Sequence, residues 1–359
     1  VTRIYFDHNA TAPLHPAARA AMIDALEVFG NPSSLHGEGR RARQLVEAAR
    51  DRVAAMVGGR REEIVFTSGG TEANNLAIRG LSRGRRVIVS PLEHPSVRAD
   101  GAVQLAVDAE GRVDLEDLAR HAGGDTLVSV QLANHEVGVV QDLAAIVAVA
   151  HRAGALVHTD AVQAAGKIAI DVRALGVDAL SLSAHKIGGP KGVGALWLRD
   201  GLALDAGAVA GGGHQERGRR PGTENATGIV GFGAAAQAVA AAAAAGELPS
   251  ADLRDRFEAG AVALGARVPG GGAARVPTTS YVVFAGVEGE LLMQALDLEG
   301  VAVSTGAACS SGSIEPSPVL RALGYDEGIR VSLGRENTVA EIDRVLALLP
   351  SLLDRIKRA

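Results

Sequence analysis

Residues 155–186 read "ALVHTDAVQAAGKIAIDVRALGVDALSLSAHK". Short, mostly apolar runs stand at both ends of this stretch, and ionisable residues close each run: Asp160 in the first, His185 and Lys186 in the second. Runs too short for a helix and apolar throughout are what strands buried on both faces look like. The pattern repeats outward. "EEIVFTS" (62–68) reaches the glycine turn of "GGTEANNLAIRG", and "RRVIVSP" (85–91) stops just before His94. "TLVSVQLA" (126–133) stops at Asn134 and His135, and "VGALWLR" (193–199) reads as a further strand. Helical patterns, such as Leu143 to Ala153, lie between several of them. Alternation of this kind predicts an α/β fold around a mostly parallel sheet. Its carboxyl edge is where such sheets bind ligands, and Thr71, His94, Asn134, His135, Asp160, Gln163, Ser183, His185 and Lys186 all fall there.

Elsewhere, "RARQLVEAARDRVAAMV" (41–57) sets Leu45, Val46, Ala49, Val53, Met56 and Val57 on one helical stripe, and Gly58–Gly59 stops it. "AAAQAVAAAAAAG" (234–246) reads as a helix with a small-residue face. A boundary is expected near "GELPSADL" (246–253), followed by a Gly/Pro-rich stretch (268–280) and a smaller α+β tail.

Composition bounds the function. The 359 residues are 47% hydrophobic and 21% charged, as in soluble globular proteins. A net charge of −5 gives no electrostatic footprint for nucleic acid, so direct nucleic-acid binding is not expected. The apolar runs read as broken by charge before they reach a membrane span, so no membrane association is expected. "VTRIYFDHNAT" has no signal-peptide pattern, and the chain has one cysteine; both point to the cytoplasm.

Each polar position carries two readings at this level. Lys186, among small and apolar neighbours with glycines at 188 and 189, is an amine nucleophile of the kind Schiff-base chemistry needs, or a surface lysine at a strand end. Asp160 is the partner of a pyridine N–H, if the ligand is pyridoxal phosphate, or a helix N-cap. "TSGGTEANN" (67–75) is a phosphate cradle at a helix start or an ordinary glycine turn. It matches neither the Walker loop nor G-x-G-x-x-G, which argues against ATP and NAD. His94 stacks on a flat cofactor or is an idle loop histidine. His94, His135, His151, His158 and His185 lack zinc-motif spacing, so no metal site is expected. Cys309, within "STGAACSSGS" (304–313), is a small buried hydrophobe or a loop thiol.

The segments "DHNATAPLHP", "GNPSSLHG", "VFTSGGTEANNLAI", "LEHPSV", "HEVGVVQDL", "HTDAVQAAGK", "SAHKIGGPKGVGAL", "GGGHQERGRRPGT" and "STGAACSSGSIEPSPVLRALG" occur in that order. Together, from about residue 3 to 350, the chain resembles the cysteine desulfurases, pyridoxal 5′-phosphate (PLP) enzymes of fold type I in the class V aminotransferase group. The resemblance implies a large domain over 15–250 with a seven-stranded type of sheet. It also implies a small domain from 1–14 and 251–359 that carries the cysteine loop. Lys186 would be the Schiff-base lysine, His94 the residue stacked on the ring, Asp160 the partner of the ring nitrogen and Gln163 that of the phenolic oxygen. Gly70, Thr71, Ser183 and His185 would hold the phosphate, with Thr223 donated by the other subunit of a homodimer. Arg330 would anchor the substrate carboxylate, with Asn31 nearby, and Cys309 would be the catalytic thiol.

The implied reaction converts L-cysteine to L-alanine, leaves a persulfide on Cys309 and passes the sulfur to a protein acceptor or scaffold. Iron–sulfur assembly, tRNA thiolation and DNA phosphorothioation all draw on such a persulfide. "NHE" (134–136) stands where many relatives have two asparagines, so Asn134 and His135 both remain as the cofactor contact, with His135 favoured by register. The segment from Cys309 to Arg330 is shorter than in housekeeping members, and no longer docking tail follows the last helix; both bear on the acceptor. A selenocysteine lyase or an aminotransferase of the same group is the alternative, and the Cys309 loop discriminates, since an aminotransferase needs no thiol there. A catalytically silent scaffold subunit is the non-enzymatic alternative.

Overall fold

The computed structural model describes residues 3–205, 207, 211–306 and 317–358. Strands are numbered in chain order: β1 (Ile4–Tyr5), β2 (Ile64–Thr67), β3 (Arg86–Val89), β4 (Val103–Gln104), β5 (Thr126–Ser129), β6 (Leu156–Asp160), β7 (Ala179–Ser183), β8 (Gly194–Leu198), β9 (Ala266–Arg267), β10 (Thr279–Phe284), β11 (Val301–Ala302) and β12 (Ile329–Ser332). Seven of them form the main sheet in the order β2-β8-β7-β6-β5-β3-β4. The pairings from β4 through β7 are parallel, whereas β8 runs antiparallel to both neighbours. Because β2 and β7 both oppose β8, β2 points the same way as the parallel set, and its carboxyl end reaches the same edge.

The apolar runs are continuous because both faces of this sheet are covered. Successive residues go to different cores. Phe66, Val128, Leu180 and Ala195 join the cluster that includes Val46, Val53 and Phe232. Val65, Leu127, Ala179 and Leu196 join the one that includes Leu76 and Leu81. The helix expected from residue 41 begins earlier, at Gly37, and ends at Met56. His36 caps it by accepting the Gly39 N–H, and the extra turn is polar, so an apolar stripe could not report it.

The Ala-rich segment lies in the helix Ala226–Ala244. Its small face does what small residues allow: a Cβ at Gly233 would lie 2.6 Å from the Ala49 Cα. This helix also corrects one expectation, because it is long and apolar enough to cross a membrane and contains no charge to interrupt it. Here it is a core helix, packed on the helices Gly37–Met56 and Pro16–Leu26.

A separate cluster gathers Ile4, Phe6, Phe257, Leu292, Val331 and Leu349. Its strands are the parallel pair β1–β11 and the three-stranded sheet β12-β10-β9, so the N-terminal strand joins the C-terminal part of the chain. The Gly/Pro-rich stretch ties the two regions together: the Val140 N–H donates to the Ala274 carbonyl at 2.8 Å, and Val139 bridges to Arg275.

Candidate active site

At the carboxyl edge of the main sheet, the segments following β2, β3, β5, β6 and β7 line a cavity of about 500 Å³. Gly70 and Thr71 open the helix Gly70–Leu81 behind β2, His94 follows β3, and His135 follows β5. Asp160 ends β6 and Gln163 sits just past it; Ser183 ends β7, with His185 and Lys186 beyond. Arg330 enters from β12. All of these line the same cavity.

Gly70 starts its helix against the ends of two strands: a Cβ there would meet Val162 Cγ2 at 2.8 Å and Ser183 Cβ at 3.4 Å. Gly69 stands at the N-cap and offers no side chain to the first-turn N–H groups. Uncapped amides and the helix dipole favour an anion at that end. His185 and Ser183 stand beside them. Burial, then the charges of Lys186 and Lys191, push the His185 pKa down to about 4, so its ring is neutral near pH 7.

Asp160 closes a turn rather than capping a helix, and its carboxylate is only partly engaged. One oxygen accepts the Val162 N–H at 2.9 Å, and the other accepts from Asn74 Nδ2 at 2.7 Å. A carboxylate has about four lone-pair sites, so capacity remains for a donor in the cavity. The Lys186 Nζ donates to the carbonyls of Asn9 and, at 2.9 Å, of Ala10. The His94 Nδ1 accepts the Ser96 N–H at 3.1 Å, which leaves Nε2 to carry the proton of the neutral ring. Burial lowers the His94 pKa to about 4, with His135 adding to the effect. The two imidazoles meet edge to face, with centroids 5.7 Å apart.

Arg330 is 2% exposed and strongly engaged. It donates to the carbonyls of His135 and Gly306, each at 3.0 Å, and to Asp7 Oδ1 at 2.7 Å. Its Nε and the His135 Nδ1 are buried without a partner among the described residues. The imidazole of His135 lies 3.4 Å from Glu136. Burial pushes Glu136 up, but His135, Ser317 and Arg330 outweigh it and bring the carboxyl below its ordinary value.

Three expected residues lie elsewhere. Asn134 is fully buried behind the cavity, its Oδ1 accepting the N–H groups of Glu136 and Val137, each at 2.8 Å, so His135 and not Asn134 is the residue presented. Asn31 is exposed, and its side chain closes a local turn by accepting the Ser33 N–H at 2.8 Å. Thr223 lines a different, smaller cavity with Glu216 and Arg220. Cys309 lies outside the described residues, but Gly306 and Ser317, the described residues on either side of 307–316, both line the main cavity.

Asn9, Asn74 and Lys167 were not expected at the site. Asn74 lies on the face of its helix shared with Gly70 and Thr71, a helical spacing legible in "GGTEANN". Asn9 carries no local signal, because it meets Gln163 and Lys167 across more than 150 residues, and Lys167, four residues from Gln163, joins the site through both.

The comparisons accord with this geometry. The family model described as Aminotransferase class-V matches residues 4–345. The chain belongs to the class-V aminotransferase family. Within that family, it is 46% identical to a protein of Cereibacter sphaeroides named cysteine desulfurase, over 99% of this chain and 97% of that one. A solved structure described as a NifS-like protein superposes with a TM-score of 0.89 at 35% identity, covering 98% of this chain and all of the other. A second, "SspA in complex with cysteine", has a TM-score of 0.79 at 32% identity over 92% and 99% of the two chains.

Class-V aminotransferase folds carry PLP, and the donor set here fits it. An uncapped helix start with Ser183 and His185 suits the phosphate, and Asp160 has lone pairs to spare for a protonated ring nitrogen. Among the cavity-lining residues, Lys186 would offer an amine for the aldehyde, His94 an aromatic face, and Gln163 an amide for the phenolic oxygen.

Proposed function

We infer that this protein is a cysteine desulfurase that removes sulfur from L-cysteine, leaves L-alanine and passes the sulfur to its own Cys309. One observation carries the reading: Lys186, Asp160 and Arg330 converge on a single cavity, and both flanks of the Cys309 segment stand on its lining. The name of the Cereibacter relative and the cysteine in the SspA structure support the same substrate.

Bound in the cavity, PLP supplies an electron sink for the bond cleavages at the substrate's carbon atoms. The chain does the rest. Asp160 would accept the hydrogen bond of the ring nitrogen and so favour its protonated form. His94, neutral near pH 7, would offer its face to the ring without adding a charge. Arg330 grips the substrate carboxylate, for which its planar fork is suited, and sets the substrate's orientation. The Lys186 amine takes the α-proton and returns it. The Cys309 thiolate attacks the substrate sulfur: an S–S bond forms, the C–S bond breaks, and its electron pair stays on carbon, which then takes a proton. Sulfur is oxidised to the persulfide level and carbon is reduced to the methyl of alanine, so no outside oxidant is needed.

The reading includes a homodimer. Thr223, the candidate phosphate ligand, lies apart from the main cavity of its own chain, which fits a role in a second copy. A reducing cytoplasmic compartment suits a thiol-dependent donor, and a protein acceptor would receive the persulfide sulfur. Borohydride reduction of the PLP-loaded protein, followed by peptide mass spectrometry, tests the cofactor assignment. A phosphopyridoxyl group on Lys186 is expected; its appearance on another lysine would contradict the assignment.

A further inference from the structure

Lys167 is 8% exposed and packs beneath the cavity without lining it. Its Nζ donates to Asn9 Oδ1 and, at 2.8 Å, to Gln163 Oε1. No carboxylate pairs with it among the described residues. Burial pushes its pKa well down, and Lys186 and Arg330 add to the effect. A buried amine held only by neutral oxygens is costly, and surface chemistry does not explain it.

Its effect on its neighbours is specific. As an ammonium, Lys167 can only donate, and the two groups facing it are then amide oxygens rather than amide nitrogens. That fixes the side chain of Gln163 the other way round at its far end. One N–H of Gln163 Nε2 goes to the Asn9 carbonyl at 3.0 Å, and the other is left for the cavity that Gln163 lines. Asn9 is fixed in the same way: with Oδ1 on Lys167, its Nδ2 donates to the His135 carbonyl at 3.1 Å and to Thr279 at 3.0 Å. Its own carbonyl accepts from Lys186.

We propose that Lys167 is a positioning residue that locks the amide of Gln163 with its N–H₂ toward the cavity, so that the phenolic oxygen of bound PLP always meets a donor. The proposal rests on the PLP reading of the site. A donor on the phenolic oxygen weakens that oxygen's hold on the proton it shares with the amine bound to the cofactor. Without Lys167, only the Asn9 carbonyl holds the Gln163 amide, and a turn that gives up that bond presents an acceptor instead.

The test is a pH titration of the visible cofactor band in the purified, PLP-loaded protein. Lys167→Met should raise the midpoint by about one pH unit, a tenfold change in the proton equilibrium. Gln163→Met should raise it by a similar amount, and the double variant no further than Gln163→Met alone, because both act through one amide. If Lys167→Met does not load with cofactor, Lys167→Gln, which can donate to only part of the pair, should give a smaller shift in the same direction. An unchanged midpoint in the loaded Lys167 variant, or shifts that add in the double variant, would overturn the proposal while leaving the PLP reading intact. A native chain that shows no visible band after loading would overturn the PLP reading and this proposal together.

Discussion

Arg330 is the proposed anchor of the substrate carboxylate. Two backbone carbonyls and Asp7 hold it in place, and its buried Nε has no partner among the described residues. Hydrogen bonds to charged groups contribute roughly 1.5–3 kcal/mol each. Arg330→Lys keeps the charge but loses the fork, so KM for L-cysteine should rise roughly 10- to 100-fold with a smaller change in kcat. Steady-state alanine formation measures this, and an unaltered KM would contradict the assignment. At this scale the sequence was informative wherever a residue closes a strand: Asp160, His185 and Lys186 stand where the ends of β6 and β7 predict. It was silent on Asn9, whose neighbours in space are remote in sequence, and on Lys167, which reaches Asn9 across 158 residues, and it favoured His135 over Asn134 by register alone. The deciding fact there is that two backbone N–H groups occupy the Asn134 side chain.

Strand β6 carries a buried histidine whose role is structural. The His158 ring spans β5 and β7, 2.8 Å from Ser129 Oγ and 2.9 Å from Ser181 Oγ. Burial lowers its pKa from 6.5 to about 4. Between those values the unfolded chain binds a proton that the folded chain refuses. Stability conferred by a neutral His158 is therefore present above pH 6.5 and lost as pH falls toward 4. The slope from one such proton is at most about 1.4 kcal/mol per pH unit. His158→Gln, which can still bond both serines, should reduce the pH dependence of urea unfolding in that window by close to one proton. His94 and His185, also lowered to about 4, keep part of the slope. A variant with the full native slope would contradict this account of His158. Elements of this kind were legible because burial on both faces leaves an unbroken apolar run. Strand β4, Val103–Gln104, was not, because a two-residue edge strand leaves no pattern to read. The early start of the helix at Gly37 escaped for the related reason that its first turn buries little apolar surface.

For the molecule as a whole, composition predicts a boundary near residue 250, and one apolar cluster gathers Ile4 and Phe6 with Phe257 and Leu349. That β1 pairs with β11 is a contact across almost 300 residues, which no local pattern carries. The proposed homodimer is tested by mixing variants. In a mixed dimer of Lys186→Ala and Thr223→Ala chains, a Thr223 that serves the partner's site leaves one site wholly native, so cofactor retention and activity should reappear. If Thr223 served its own chain, both sites would be damaged and mixing would restore nothing.

The central claim is that Cys309 receives sulfur from L-cysteine in the cavity between β12 and the edge of the main sheet. It is tested most directly by incubating the PLP-loaded protein with L-cysteine, measuring alanine, and weighing the Cys309 peptide, with Cys309→Ser beside it. The account predicts alanine from the native chain, one added sulfur atom on Cys309, and almost no alanine from a Cys309→Ser protein that still holds its cofactor. Equal alanine from both proteins, with no sulfur on Cys309, would contradict it.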